Sequence, residues 1–307
     1  MARAVRFDHY GDRDVLYIAD VEIPVPSAGE VVVAVRAAAL NPGEAAIRAG
    51  ALEERFPATF PSGEGSDLAG VVSAVGEGVS EFTVGDEVLG WSERRSSHAD
   101  YVAVPVTQLI RKPPALSWEA AGSLYVVGCT AFVAVRAVDV SPGDTVAVSA
   151  AAGGVGTLVV QLLRTKGATV LGIASEPNHE WLVAHGVIPV AYGEGLADRL
   201  KAAAPNGRID AFIDLFGPDY VQLAVDLGIA KDRIETIISF ERAYELGTKA
   251  QGSADGSTTE VLSAMAELVA SGDIEIPIAA TYPLEKVREA YAELEKRHTR
   301  GKTVLVP

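Results

Sequence analysis

The sequence predicts an α/β chain of two domains, a small β-barrel and a doubly wound parallel sheet. Three observations predict it. The first third is a series of short β-branched runs punctuated by Gly and Pro. From Asp144 to about Ile238, short apolar runs alternate with helical stretches, the pattern of a parallel sheet covered on both faces. The chain then closes on a β-branched run, Thr303-Val-Leu-Val306, late enough to return to the first domain. A length of 307 residues suits about two domains.

Taken in order, residues 30–36 (Glu-Val-Val-Val-Ala-Val-Arg) follow the turn residues Pro26-Ser-Ala-Gly29 and predict a strand. Residues 71–75 predict another, ended by Gly76-Glu-Gly78, and residues 87–90 a third after Val84-Gly-Asp86. Ser117 is a helix N-cap candidate, after which the chain turns Ala-rich and helical. Strands are expected at 145–149, 169–174, 188–191, 209–215 and 233–238. Between the first two, Val155, Leu158, Val159, Leu162 and Leu163 recur at helical spacing, with Gly167 as the stop. Residues 250–257 read as a mobile loop, 258–271 as a helix and 274–281 as extended. Residues 285–297 form an amphipathic helix with Val287, Tyr291 and Leu294 on one side.

Composition narrows the function. A hydrophobic content of 49% supplies a core and excludes disordered and fibrous classes. No run of about 18 apolar residues is free of charges, Gly and Pro, so no membrane span is expected. The segment from Met1 to Asp8 lacks the apolar stretch of a signal peptide, and the chain is expected to be cytoplasmic. Acidic residues outnumber basic ones 41 to 26, for a net charge of −15, so nucleic acid is not an expected partner. One cysteine, Cys129, closes no intramolecular disulfide and builds no thiolate metal cluster.

The chemistry centres on Ser149-Ala150-Ala151-Ala152-Gly153-Gly154-Val155-Gly156, where a strand ends and a helix begins. Glycines there permit a tight turn and let a pyrophosphate approach the helix N-terminus, whose N–H groups and dipole favour negative charge. A Gly-rich turn also occurs in α/β proteins that bind no nucleotide; the flanking strand, amphipathic helix and second strand favour a dinucleotide. No Gly-Lys-Ser/Thr follows, which excludes a P-loop.

These residues resemble the medium-chain dehydrogenase/reductase superfamily, in its zinc-free quinone oxidoreductase (zeta-crystallin-like) branch. The resemblance rests on Ala150-x-x-Gly153-x-x-Gly156, on the segment from Gly65-Ser-Asp to Gly76, on Val84-Gly-Asp-Glu-Val88, on Leu124-Tyr-Val-Val-Gly-Cys-Thr-Ala131 and on His298-Thr-Arg-Gly-Lys302. It implies a GroES-like barrel, residues 1–116 and 272–307, and an inserted Rossmann NADP-binding domain, residues 117–271. Zinc-dependent relatives have Gly-His-Glu where this chain has Gly65-Ser66-Asp67, and His9, His98, His179, His185 and His298 show no ligand spacing, so no metal is expected.

Cofactor choice turns on the end of the second strand, where an acid would bind the ribose hydroxyls of NAD and repel the 2′-phosphate of NADP. Here it reads Ile173-Ala174-Ser175, and Ser175, Asn178 and His179 are all able to donate to a phosphate. The resemblance adds Tyr192 toward the same phosphate, with a rim aromatic over the adenine as its alternative. Glu176 and the absence of a basic residue at Pro177 point the other way, toward NAD; NADP is the expectation.

The fingerprint residues Ala152, Gly153, Gly154, Val155 and Gly156 are the expected pyrophosphate site. The resemblance implies Asn41 beside the nicotinamide and substrate, Thr130 near the nicotinamide phosphate or ring, and Lys302 among the cofactor-binding residues. Asn41 also reads as a simple turn residue before Pro42. Phe216, Ile238, Ser239 and Phe240 follow strands four and five and face the ligand crevice, whereas Asp214 reads as structural. Residues 43–47 lack the tyrosine that relatives often carry there, leaving Tyr125 or water as proton donor, with a packing role as the alternative for Tyr125. The expected activity is NADPH-dependent hydride transfer to a quinone or other conjugated carbonyl. The alternatives are an enone or alkenal reductase and a catalytically silent NADPH-binding protein. A homodimer paired through the sheet edge at residues 233–238 is expected.

Overall fold

The computed structural model describes residues 1–307, apart from the side chain of Pro218. The chain forms two compact units, Met1–Val126 with Thr258–Ser271 and Ile276–Pro307, and Val127–Ser257 with Gly272–Glu275.

The first unit opens with β1 (Ala2–Phe7), β2 (Tyr17–Val21), β3 (Glu30–Ala39), α1 (Pro42–Arg48) and β4 (Ser62–Gly63). It continues with β5 (Asp67–Val75), β6 (Glu87–Trp91), β7 (Tyr101–Pro105), β8 (Leu109–Arg111) and α2 (Trp118–Ala121). β1 is the centre of a three-stranded antiparallel sheet, β2-β1-β4. β3 organises the larger sheet. Its Val31, Val33 and Val35 alternate onto one face and pack with Leu68, Val72, Val88 and Val104. Register shifts against β5 at Val32/Val33 and Val35/Ala37 bend the strand. The residue at 122 must be small, because a Cβ on Gly122 would lie 2.4 Å from the Ala37 carbonyl oxygen. That close approach, with Ala39 N donating to Gly122 O at 2.9 Å, ties α2 to the first unit. Sequence reading had assigned residues 117–126 to the second domain.

α3 (Leu124–Ala137) leads into the second unit: β9 (Thr145–Val148), α4 (Gly154–Thr165), β10 (Thr169–Ala174), α5 (His179–Ala184), β11 (Ile188–Ala191), α6 (Leu196–Ala203), β12 (Ala211–Asp214), α7 (Pro218–Asp226), β13 (Ile234–Thr236) and α8 (Phe240–Leu246). The five strands are parallel, in the order β11-β10-β9-β12-β13. The winding reverses at β9, so the crevice outside the carboxyl ends of β9 and its neighbours is where ligands bind in such sheets. Ala147, Leu171, Ile173, Phe212, Val221 and Ile234 form one core of this unit.

One expectation about this sheet is corrected. The region 233–238 is not an open edge: Lys249 N donates to Ile234 O at 3.0 Å and Thr236 N donates to Lys249 O at 3.2 Å. A short strap of the chain's own backbone satisfies the groups that an edge strand would expose.

α9 (Thr259–Ser271), β14 (Ile278–Pro283), α10 (Val287–Leu294) and β15 (Lys302–Val306) return to the first unit. β15 pairs with Ala38 and Ala39 of β3 and in parallel with β14. α9 packs against β8, so this helix too belongs with the first unit rather than the second. Among the described residues no helix is long and apolar enough to cross a membrane.

Candidate active site

In the second unit, β9 ends at Val148 and α4 starts at Gly154. The turn between them holds Ala150 at φ +46°, a left-handed backbone that costs a residue with a Cβ roughly 1–2 kcal/mol. Gly153 N donates to Ala150 O at 2.9 Å and Ala151 N to Ile173 O at 3.1 Å, which lays the turn over β10. Gly153 is the N-cap and brings no side chain to satisfy the first N–H groups of α4. Gly156 is forced by space, since a Cβ there would lie 2.1 Å from Ala150 O and 2.8 Å from Ala151 C. Ala152 and Gly156 are buried, and Gly154 and Val155 are partly exposed.

The structure brings Ser175, Asn178 and His179 together at the carboxyl end of β10. Asn178 Nδ2 donates to Ser175 Oγ at 3.1 Å, and His179 Nε2 lies 3.2 Å from Ala174 O. Glu176 is exposed beside them. Tyr192, one residue past β11, is half-exposed. Thr130 is buried on α3.

Asp214, at the end of β12, is fully buried and accepts five hydrogen bonds. Ser149 Oγ (2.8 Å), Phe216 N (3.0 Å) and Gly217 N (3.1 Å) donate to Oδ1, and Thr236 Oγ1 (2.7 Å) and Ser239 Oγ (3.2 Å) donate to Oδ2. A buried carboxylate is tolerated when its lone pairs are filled in this way. The hub joins the ends of β9, β12 and β13, the segments that carry Phe216, Ile238, Ser239 and Phe240. Ser239 is buried, and the other three side chains are exposed.

The first unit holds Asn41, Tyr125 and Lys302. Asn41 Nδ2 donates to Asp67 Oδ2 at 2.8 Å and to Glu44 Oε1 at 3.1 Å, and its Oδ1 accepts from Lys302 Nζ at 2.6 Å. Lys302 Nζ also donates to Leu40 O at 2.9 Å and lies 3.8 Å from Asp67 Oδ2. Burial pushes the Asp67 carboxyl up to about 6, against the pull of the Lys302 charge, and pushes the Lys302 ammonium down. Behind this group, Tyr291 OH donates to Glu44 Oε2 at 3.1 Å, and Arg48 pairs with Glu64 while lying 4.3 Å over the Tyr291 ring. Burial raises Glu64 to about 7. Tyr125 is buried and stacks on Trp91, with centroids 4.6 Å apart and planes 6° from parallel.

Two family models match: an alcohol dehydrogenase GroES-like domain over residues 27–114 and a zinc-binding dehydrogenase domain over residues 159–305. A quinone oxidoreductase of Pseudomonas aeruginosa is 30% identical over the whole of both chains. The chain belongs to the quinone oxidoreductase branch of the medium-chain dehydrogenase/reductases. It is an oxidoreductase. Among solved structures, a quinone oxidoreductase from Coxiella burnetii superposes with a TM-score of 0.88 at 31% identity, covering 100% of this chain and 99% of that one. The NADPH complex of Escherichia coli quinone oxidoreductase superposes with a TM-score of 0.89 at 24% identity over the whole of both chains, a likeness of fold.

The zinc in the description of the matching dehydrogenase domain does not fit the residues of this one. Asp67 Oδ1 accepts from Val126 N at 2.8 Å, and Oδ2 accepts from the Asn41 amide. The cation beside that carboxylate is the Lys302 ammonium. His98 is buried with Nε2 3.2 Å from Ala39 O, and the described residues contain no cluster of three His, Cys, Asp or Glu able to hold a metal.

The polar roles of Glu44, Glu64, Arg48 and Tyr291 are not legible in the sequence because these residues are scattered over α1, the position after β4 and α10. Asp67 stood in view, in the Gly65-Ser66-Asp67 segment, as did Asp214, whose burial alone separates a hub from an ordinary strand-end acid.

Proposed function

We propose that the chain is an NADPH-dependent, zinc-independent reductase that passes a hydride to a quinone or another conjugated carbonyl compound. The observation that carries this reading is the side-chain-free N-terminus of α4 behind a turn that only Gly156 fits, beside a β10 end that presents Ser175, Asn178 and His179 in place of an acid. The first-turn N–H groups of α4 suit a pyrophosphate. Ser175 Oγ, Asn178 Nδ2, the His179 ring and Tyr192 suit a 2′-phosphate, and a protein of the same fold is solved as an NADPH complex. NADPH, when bound, supplies the hydride. The protein's part is to fix the dinucleotide, exclude side reactions and hold the acceptor, while water supplies the one proton that, with the hydride, completes the hydroquinone.

The curated quinone oxidoreductases that the chain resembles support the choice of acceptor. In the first unit, Asn41, Asp67 and Lys302 form a fixed, buried polar group. The reading includes a homodimer and no nucleic-acid partner.

Cofactor oxidation followed against a panel of quinones, enones and alkenals tests this. A hydroquinone product is expected. A new C–H bond at the β-carbon of an enone would reassign the chain as a double-bond reductase, and inertness toward the whole panel with NADPH bound would leave a binding protein.

A further inference from the structure

Asp214 does more than join three strand ends. The hydroxyls that donate to it also accept: Ser149 Oγ takes Leu215 N at 2.7 Å, and Thr236 Oγ1 takes Ile238 N at 3.3 Å and Ser239 N at 3.0 Å. With Phe216 N and Gly217 N bonded directly to the carboxylate, five consecutive-segment N–H groups point inward. In a trans peptide the preceding carbonyl points opposite to its N–H. The carbonyls of Leu215, Phe216, Ile237 and Ile238 therefore turn away from Asp214, on segments whose Phe216 and Ile238 side chains are 45% and 44% exposed. At the carboxyl ends of β12 and β13, backbone acceptors thus turn outward from the hub, whereas the start of α4 presents donors.

We propose that Asp214 is a positioning residue that sets this polarity, so that the carboxyl ends of β12 and β13 select the end of the dinucleotide that donates hydrogen bonds, the nicotinamide carboxamide. The inference rests on the dinucleotide reading above. It requires that loss of the hub weaken recognition of the carboxamide and spare the adenine half. A carboxamide left facing donors, or acceptors left unmatched, costs a large part of a hydrogen bond's worth of binding.

The test compares three ligands by titration: NADP, its 3-acetylpyridine analogue, which lacks the amide N–H groups, and adenosine 2′,5′-bisphosphate, which carries only the adenine half. The proteins are wild type, D214N, T236V and T236S. In D214N and T236V, NADP affinity should fall about tenfold, bisphosphate affinity should hold within about twofold, and the preference for NADP over the acetyl analogue should collapse. T236S keeps the hydroxyl and should keep the wild-type preference. If D214N does not fold, the T236V and T236S pair carries the comparison. Equal losses for NADP and bisphosphate, or an unchanged preference over the acetyl analogue, would overturn the proposal. A wild-type protein that binds the bisphosphate and NADP equally well would also overturn it, and one that binds neither would remove the dinucleotide reading itself.

Discussion

The side-chain amide of Asn41 donates to Asp67 Oδ2 at 2.8 Å, and its second amide hydrogen is taken by Glu44 Oε1. With Lys302 on its Oδ1, the amide can face in only one direction, fixed from both ends by buried charges. An Asn41→Asp replacement keeps the shape and adds a carboxylate between two others. It should lower stability by about 2–4 kcal/mol at pH 8 and by much less at pH 5, where a carboxyl in this group is protonated. Denaturant unfolding at the two pH values measures the difference, and equal losses would show that the clamp is not electrostatic.

Stability should decline as pH rises from about 5 to 8.5, by on the order of a few kcal/mol. Burial lifts Asp67 to about 6, Glu64 to about 7 and Glu235 to about 8, so the folded chain holds protons that the unfolded chain releases near 4 to 4.5. Each contribution is complete below the unfolded value and gone above the folded one. At lower pH, Asp86, held down by its hydrogen bond to Arg111, acts in the opposite sense. Glu235→Gln should flatten the curve above about pH 7, as read from thermal unfolding across the range.

NADPH should bind more tightly than NADH. Ser175→Asp sets a negative charge where the 2′-phosphate is proposed to lie and should reverse the preference by about tenfold or more. A variant that keeps the wild-type ratio in paired titrations would instead make exposed Glu176 the ribose partner.

Two substitutions in the Gly-rich turn should act in opposite directions. Gly156→Val drives a side chain into Ala150 O and should cost dinucleotide binding and on the order of 10²-fold in turnover. Ala150→Gly relieves the left-handed φ of +46° and should raise stability by roughly 0.5–1 kcal/mol. Calorimetry of both variants, with binding measured alongside, separates space from strain.

The parallel sheet was legible almost strand by strand: β10 and β11 form at the residues expected, and β9, β12 and β13 are the expected runs trimmed at their ends. β-Branched runs bounded by Gly or Asp leave a doubly covered strand few alternatives. β1 was not legible because Arg3 and Arg6 interrupt it, and Arg3 is accounted for only by distant Asp100 and Glu285. The same reason hid most of the first unit's polar group. Glu44 and Glu64 look like solvated residues, and Tyr291 like a packing residue, until residues about 20 to 247 positions apart meet. The need for glycine at 156 comes from the turn itself, where a Cβ would meet Ala150 and Ala151.

The strap at Lys249 has a consequence for association. Because it already satisfies Ile234 O and Thr236 N, β13 is no longer a template for a strand from another molecule. Two copies that meet along this side of the sheet do so across the outer face of residues 249–251, or else by exchanging their straps. Gln251 N, held by the buried Glu235 carboxyl at 2.6 Å, pins the strap to the strand that it covers.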